Sequence, residues 1–190
     1  MNVTIRSTNN SAAISAAIRD LASRRVLVGV PAEKAGRQPD PGQPPTPINN
    51  AELAYIHERG APEANIPARP FLQPGVDSAR DRLVKKLESA GRAAFAGDPA
   101  AVDRRLTEVG LIAQAAVRNK IADGPFVPLA PATIRARLRR TGIGKFDPSI
   151  YGKGAIASDE HEAATGMWPL IDTGQLRNAI SFVIRKIKGK

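Results

Sequence analysis

The chain reads as a single α+β domain of 190 residues, and three observations lead there. Short β-branched runs without a helical period sit near both ends, at 2–7 (NVTIRS), 25–30 (RVLVGV) and 179–187 (AISFVIRKI). The middle carries apolar residues at helical spacing, bounded by capping signals. Hydrophobic residues reach 42% but aromatics only 4%, so the core must be aliphatic. A small sheet of about three strands packed with several helices satisfies all three.

In order, the first strand over 2–7 alternates and is β-branched. Asn10 or Ser11 then caps a helix to about Arg24, with Ile14, Ala17, Ile18 and Leu21 on one face. The second strand follows directly. Residues 31–47 hold six prolines and two glycines, which exclude regular structure, and predict a long exposed loop or arm. Asn49 and Glu52 form a capping-box pair, with Ile48 and Leu53 at hydrophobic-staple positions. The helix they open runs from about 50 to 59 and stops at Gly60.

The next segment, through Gly75, is kept extended by Pro62, Pro67, Pro70 and Pro74. It also carries Ile66, Phe71 and Leu72, too much apolar surface to be left in water, so it is expected to clamp a core or a subunit contact. A helix over 75–96 should turn Val76, Leu83, Val84 and Leu87 inward. Asp98-Pro99 opens a second long helix to about Ala122, with Val102, Leu106, Val109, Ile112, Ala113 and Ala116 as its stripe. Pro131 opens a short basic helix to about 140. Residues 141–168 show no sustained period and are expected to form a second long loop. Asp172 and Gln175 look like a cap-and-reach pair opening a turn of helix before the third strand. No internal repeat is present.

Composition narrows the function. No run of about 18 apolar residues exists to span a membrane, and MNVTIRSTNN has no apolar segment of a secretory signal. There is no cysteine, which excludes disulfide frameworks, thiol catalysis and zinc ribbons. Two histidines, His57 and His161, are few for a metal site. Lys and Arg number 28 against 18 Asp and Glu, a net charge of +10. The excess is clustered: seven basic residues and only Asp123 lie in 118–145, and five with no acid lie in 177–190. Such clustering fits a nucleic-acid or acidic partner, or a solvated basic face.

No catalytic constellation assembles. Asp172-Thr173-Gly174 matches the aspartic-protease triplet, which needs a second carboxylate about 3 Å away and hence a dimer; a helix cap explains the same Asp. Asp159-Glu160-His161-Glu162 reads as a solvated acidic patch rather than a metal cluster, since consecutive side chains diverge. His57 is expected on the polar flank of its helix. Gly142-Ile143-Gly144-Lys145 lacks the strand and the Ser or Thr of a phosphate loop. The strongest chemical signal is the helix over 133–140, where Arg135, Arg137, Arg139 and Arg140 could form a basic face. Two readings stand side by side: phosphate contact, or a solvated or inter-subunit salt-bridge strip.

Three segments in order, NNAELAYIHERGAPEANIPARPFLQPGVD (49–77), GPFVPLAPATIRAR (124–137) and PLIDTGQLRNAISFVI (169–184), resemble the neck and tail-completion proteins of long-tailed bacteriophages, also described as tail-component or virion morphogenesis proteins. The resemblance covers most of 49–184. It implies an α+β subunit that forms a homo-oligomeric ring, often sixfold, at the head–tail junction of the virion, after assembly in the host cytoplasm. Its implied neighbours are connector, tail-terminator or tail-tube proteins, with non-specific contact to packaged DNA. It implies no catalysis, cofactor, metal or membrane. The matching residues are Arg69, Pro70 and Phe71; Pro128, Leu129 and Thr133; and Asp172, Gly174, Leu176 and Arg177. Their expected roles are architectural or subunit-contacting: Phe71 as an anchor, Asp172 as a cap, Leu176 as packing. The alternatives are a DNA-binding protein using helix 133–140 and the basic C-terminus, and a dimeric Asp-Thr-Gly protease.

Overall fold

The computed structural model describes residues 11–39, 44–45, 47–150 and 158–187. The strand expected over 2–7 and the Asn10 cap lie outside the described residues. The fold is α+β, with two strands among the described residues. The chain runs α1 (Ser11–Ser23), β1 (Arg24–Gly29), α2 (Asn50–Arg59), α3 (Leu72–Ser78), α4 (Arg80–Phe95), α5 (Pro99–Asp123), α6 (Pro131–Thr141), α7 (Ser158–Thr165), α8 (Gln175–Ala179) and β2 (Ser181–Lys186).

The long helix α5 is the spine. Asp98 accepts from the Ala101 amide at 2.8 Å, Pro99 occupies the first turn, and Gly124 ends the helix at φ 65°. Its buried positions, Val102, Leu106, Val109, Gly110, Ala113, Ala116, Val117 and Ile121, recur every three or four residues. Helices α3 and α4 and both strands pack on it. The strands pair antiparallel, Val26 opposite Ile184 and Val28 opposite Phe182. Val26 and Val28 pack against the core clusters that include α5, while Leu27, on the other face, is 47% exposed.

The sheet can lie this close only because position 110 is glycine. A Cβ there would stand 2.1 Å from the Phe182 ring. Gly91 on α4 has nothing within 4 Å of the same position. Gly110→Ala should therefore destabilise the fold, by about 1–3 kcal/mol for overpacking, partly offset by helix propensity. Gly91→Ala should stabilise it by up to about 1 kcal/mol. Urea midpoints moving in the same direction for both variants would contradict this packing.

Several expectations need correction. The helix expected over 75–96 is two helices that meet at Ala79, where φ is −103° and ψ is 2°. The first starts earlier, at Leu72, because the Glu58 carboxylate accepts from the amides of Phe71 and Leu72, both at 2.8 Å, and Gln73. A side chain from α2 thus does the work of a local cap. Val84 and Leu87 do not face inward; they are 44% and 45% exposed. Helix α4 meets α5 through Leu83 and the small residues Ala90 and Ala94, so its buried stripe is narrow.

The two long loops are less loose than expected. Residues 31–39 are mostly exposed, yet Asn50 holds them: its amide donates to Ala35 O and its side chain to Gly36 O, both at 2.8 Å. The segment 141–168 contains α7 and buries Ile150, Ser158, His161, Thr165 and Met167. Helix α7 showed no apolar period because the stripe it buries is polar. Asp172 caps no helix: α8 begins at Gln175, after Gly174 at φ 75°.

Candidate contact site around the Asp172–Thr173–Gly174 turn

The three segments that carry the resemblance are distant in sequence and adjacent in space. Arg69 is 5% exposed; its Nε donates to Val127 O at 2.7 Å and its Nη2 to Pro128 O at 2.6 Å. Its backbone amide donates to His57 O at 2.6 Å, which ties the extended segment to α2. Pro70 is exposed, and Phe71, 1% exposed, enters a cluster with Val117, Ile121, Phe126, Leu170, Leu176 and Ile180. The extended segment is therefore a clamp on this domain's own core.

Pro128 and Leu129 are buried, and Leu129 joins a second cluster with Ile134, Ile150 and Met167. Thr133 is exposed at the start of α6. Arg177 donates from Nε to Arg118 O, and Arg118 donates to Ile180 O at 2.8 Å. Arg118 thereby satisfies a carbonyl left open where α8 passes into β2, and Arg177 ties α8 back to α5.

The four arginines of α6 do not form one face. Arg137 turns inward, its Nη1 donating to Trp168 O and Ile171 O, each at 3.0 Å. Arg140 grips Asp172 with contacts of 2.6 and 2.5 Å, and Arg137 Nε stands 3.6 Å from the same carboxylate. Arg135 is exposed and lies over the Phe146 ring, 4.5 Å from its centroid. Arg139 is exposed. A helix has room to turn only part of its circumference to solvent when it packs. Two of the four are thus held within the domain.

Asp172 accordingly anchors α6 to the turn before α8. Asp172→Ala should lower stability by about 1–3 kcal/mol, the scale of lost charge-assisted bonds. A double-mutant cycle with Arg140→Gln should show coupling. Zero coupling would mean that the carboxylate acts locally after all.

Sequence reading placed the histidines wrongly. His57 is not on a solvated flank: its Nδ1 is buried without a hydrogen-bond partner, and burial, then the Arg69, Arg137 and Arg37 charges, push its pKa down to about 4. His161 is fully buried with neither ring nitrogen bonded, and burial with Arg69 and Arg137 sets its pKa near 4 as well. Its neighbours Asp159, Glu160 and Glu162 are exposed, so only the acids of that run are a solvated patch. The signal that could have found His161 is its spacing from Ser158 and Thr165, one helical face of buried polar residues.

Arg37, His57 and Leu53, Arg137, and the 169–176 turn with Asp172 together enclose a cavity of about 140 Å³. Gln175 fixes its lip: Gln38 N donates to Gln175 Oε1 at 2.8 Å, and Gln175 Nε2 returns a bond to Gln38 O at 3.1 Å. Among the described residues, no group of three or more His, Asp or Glu could hold a metal ion, and no helix is long and apolar enough to cross a membrane. No family model matches the chain, and no curated protein or solved structure matches it.

Proposed function

We propose that the chain is a structural subunit of a tailed-bacteriophage neck or tail-completion ring, assembled from copies of itself beside connector, tail-terminator or tail-tube proteins. One observation carries the reading. The three ordered segments that resemble that family form one junction, in which Arg69 joins the first to the second and Arg137, the last residue of the second, joins it to the third through Ile171 O and the Asp172 carboxylate. The order of the motifs is thereby matched by a physical reason for keeping them together. The proposal assigns the chain no catalysis. Asp172 faces arginines, so a protease dyad would first have to break that pairing.

The DNA-binding alternative loses support from the geometry of α6, since Arg137 and Arg140 are engaged inside the domain. Arg135 and Arg139 remain on the surface for non-specific contact with packaged DNA. The deciding experiment is native mass spectrometry with electron microscopy of the purified chain, followed by its localisation in virions. A closed ring found at the head–tail junction is expected. A monomer at all concentrations that binds DNA with a steep salt dependence would replace this reading with the alternative.

A further inference from the structure

We propose that the free edge of β1, with the apolar groove beside it, takes up residues 2–7 of a neighbouring copy of this chain as an added strand. The inference rests on the ring reading and names a contact that holds the ring together. Among the described residues β1 is paired on one side only, with β2. Ile187 N donates to Ser23 O at 2.8 Å, which fixes the alternation of the ladder. The peptide groups of 25, 27 and 29 point to β2, and those of Arg24, Val26 and Val28 point away from it. Such an open row of donors and acceptors is what an added strand pairs with.

Val26 and Val28 line a groove of about 680 Å³ together with Val76 of α3, Leu83 and Leu87 of α4 and Val109 of α5. An occupant would cover Leu87, which the domain itself leaves 45% exposed. Arg24, the charged residue at one end, is already held by Asp20 and Asp103. The groove thus offers apolar contacts beside an open ladder, the combination that suits an extended chain with alternate apolar residues.

Ten residues precede α1 and lie outside the described residues. Residues 2–7 equal β1 in length, and they alternate: Val3 and Ile5 fall on one face, Asn2, Thr4 and Arg6 on the other. With Val3 and Ile5 over the groove, Thr4 falls on the face of Arg25 and Leu27. Charge selects this segment over the strands of a second copy. Another β1 or β2 would bring Arg24-Arg25 or Arg185-Lys186 against the arginines of β1, whereas 2–7 brings only Arg6; like charges across a ladder are destabilising.

Distance points to a neighbour as the donor. Helix α1 packs through Ala17 and Leu21, and Leu21 is its residue at the groove. Ser11, Ala12 and Ala13 are exposed at its other end. Ser11 is ten residues from Leu21, about 15 Å along the helix, and the four steps from Ser7 to Ser11 reach about 14 Å at most. Laid along its own β1, the segment would have to be drawn taut over α1. An adjacent copy imposes no such tether.

The test uses the whole chain, which has no cysteine of its own. An isotope-labelled Thr4→Cys chain and an unlabelled Leu27→Cys or Arg25→Cys chain are mixed dilute, concentrated and oxidised; a Thr4→Cys/Leu27→Cys double variant is treated in the same way. Adjacent strands bring Cα atoms within disulfide range. The expected product is a disulfide that joins a labelled chain to an unlabelled one. In sedimentation, Leu87→Glu should weaken association about tenfold and Val3→Asp with Ile5→Asp about a hundredfold, both with the helical circular dichroism of the wild type. A disulfide that forms only within single chains of the double variant overturns the proposal and leaves the ring reading standing. Assembly with no interchain disulfide and with unchanged association of the variants does the same. A chain that stays monomeric at all concentrations overturns both.

Discussion

Phe71→Ala is expected to lower folding stability by about 3–5 kcal/mol, the usual range for deleting a fully buried aromatic side chain. Phe71 is 1% exposed and touches the cluster built from α5, the cis-peptide turn at Phe126, and the 170–180 segment. The neighbours cannot collapse easily into the space. Arg69, two residues earlier, is fixed by two carbonyls, and Glu58 holds the Phe71 amide itself. The segment before it is a bend closed by the Ala61–Ile66 bridge, with Asn65 at φ 54°. Urea denaturation is the direct measurement. Phe71→Leu, which keeps much of the volume, should recover a large part of the loss. If Phe71→Ala melts with the wild type, the clamp is not part of the folding core.

The second large effect is acid destabilisation through His57 and His161. Both have folded-state pKa values near 4, against an unfolded value near 6.5. A depressed histidine pKa means that the unfolded chain binds protons first. Stability is then complete above about pH 6.5 and falls as the pH drops towards 4. A shift of this size corresponds to roughly 3 kcal/mol for each histidine. Asp20 and Glu108 are lowered from ordinary values of 3.8 and 4.5, so what they contribute is lost only as the pH falls through and below those values, and the upper part of the window, from about 6.5 to 5, belongs to the imidazoles.

His161→Leu tests the assignment. The ring makes no hydrogen bond, so an apolar replacement forfeits none, and the variant should be about as stable as the wild type at pH 8. Its pH slope should be shallower by roughly one proton. A wild-type stability that is flat between pH 6.5 and 4.5 would show that both rings are accessible to protons in the folded state.

The helices were legible wherever their signals are local. Asn49 accepts from the Ala51 and Glu52 amides, and Glu52 returns a bond to Asn49 N, as the spacing indicated. Asp98 and Pro99 open α5, Pro131 opens α6, and the α5 stripe is the one that the apolar spacing traces. The burial of Phe71 followed from apolar content in a segment too irregular to bury it by periodicity.

The role of Asp172 was not legible. A cap and an ion pair both begin with a carboxylate before a short helix, and the partner that decides between them, Arg140, is 32 residues away. The same holds for Arg69 and Pro128, separated by 59, and for Glu58 as the distant cap of α3.

What the sequence determined by itself is therefore α1, α2, α5, α6 and the two described strands, the local caps of α2 and α5, and the aliphatic stripe of α5, because each depends on residues within a few turns of one another. Tertiary structure alone decided which charges are buried and what they hold. Arg137 and Arg140 carry the same charge and stand on the same helix as Arg135 and Arg139. Only the arrival of the 168–172 turn distinguishes them, since desolvation and Coulomb attraction act between groups that folding brings together, at any distance along the chain.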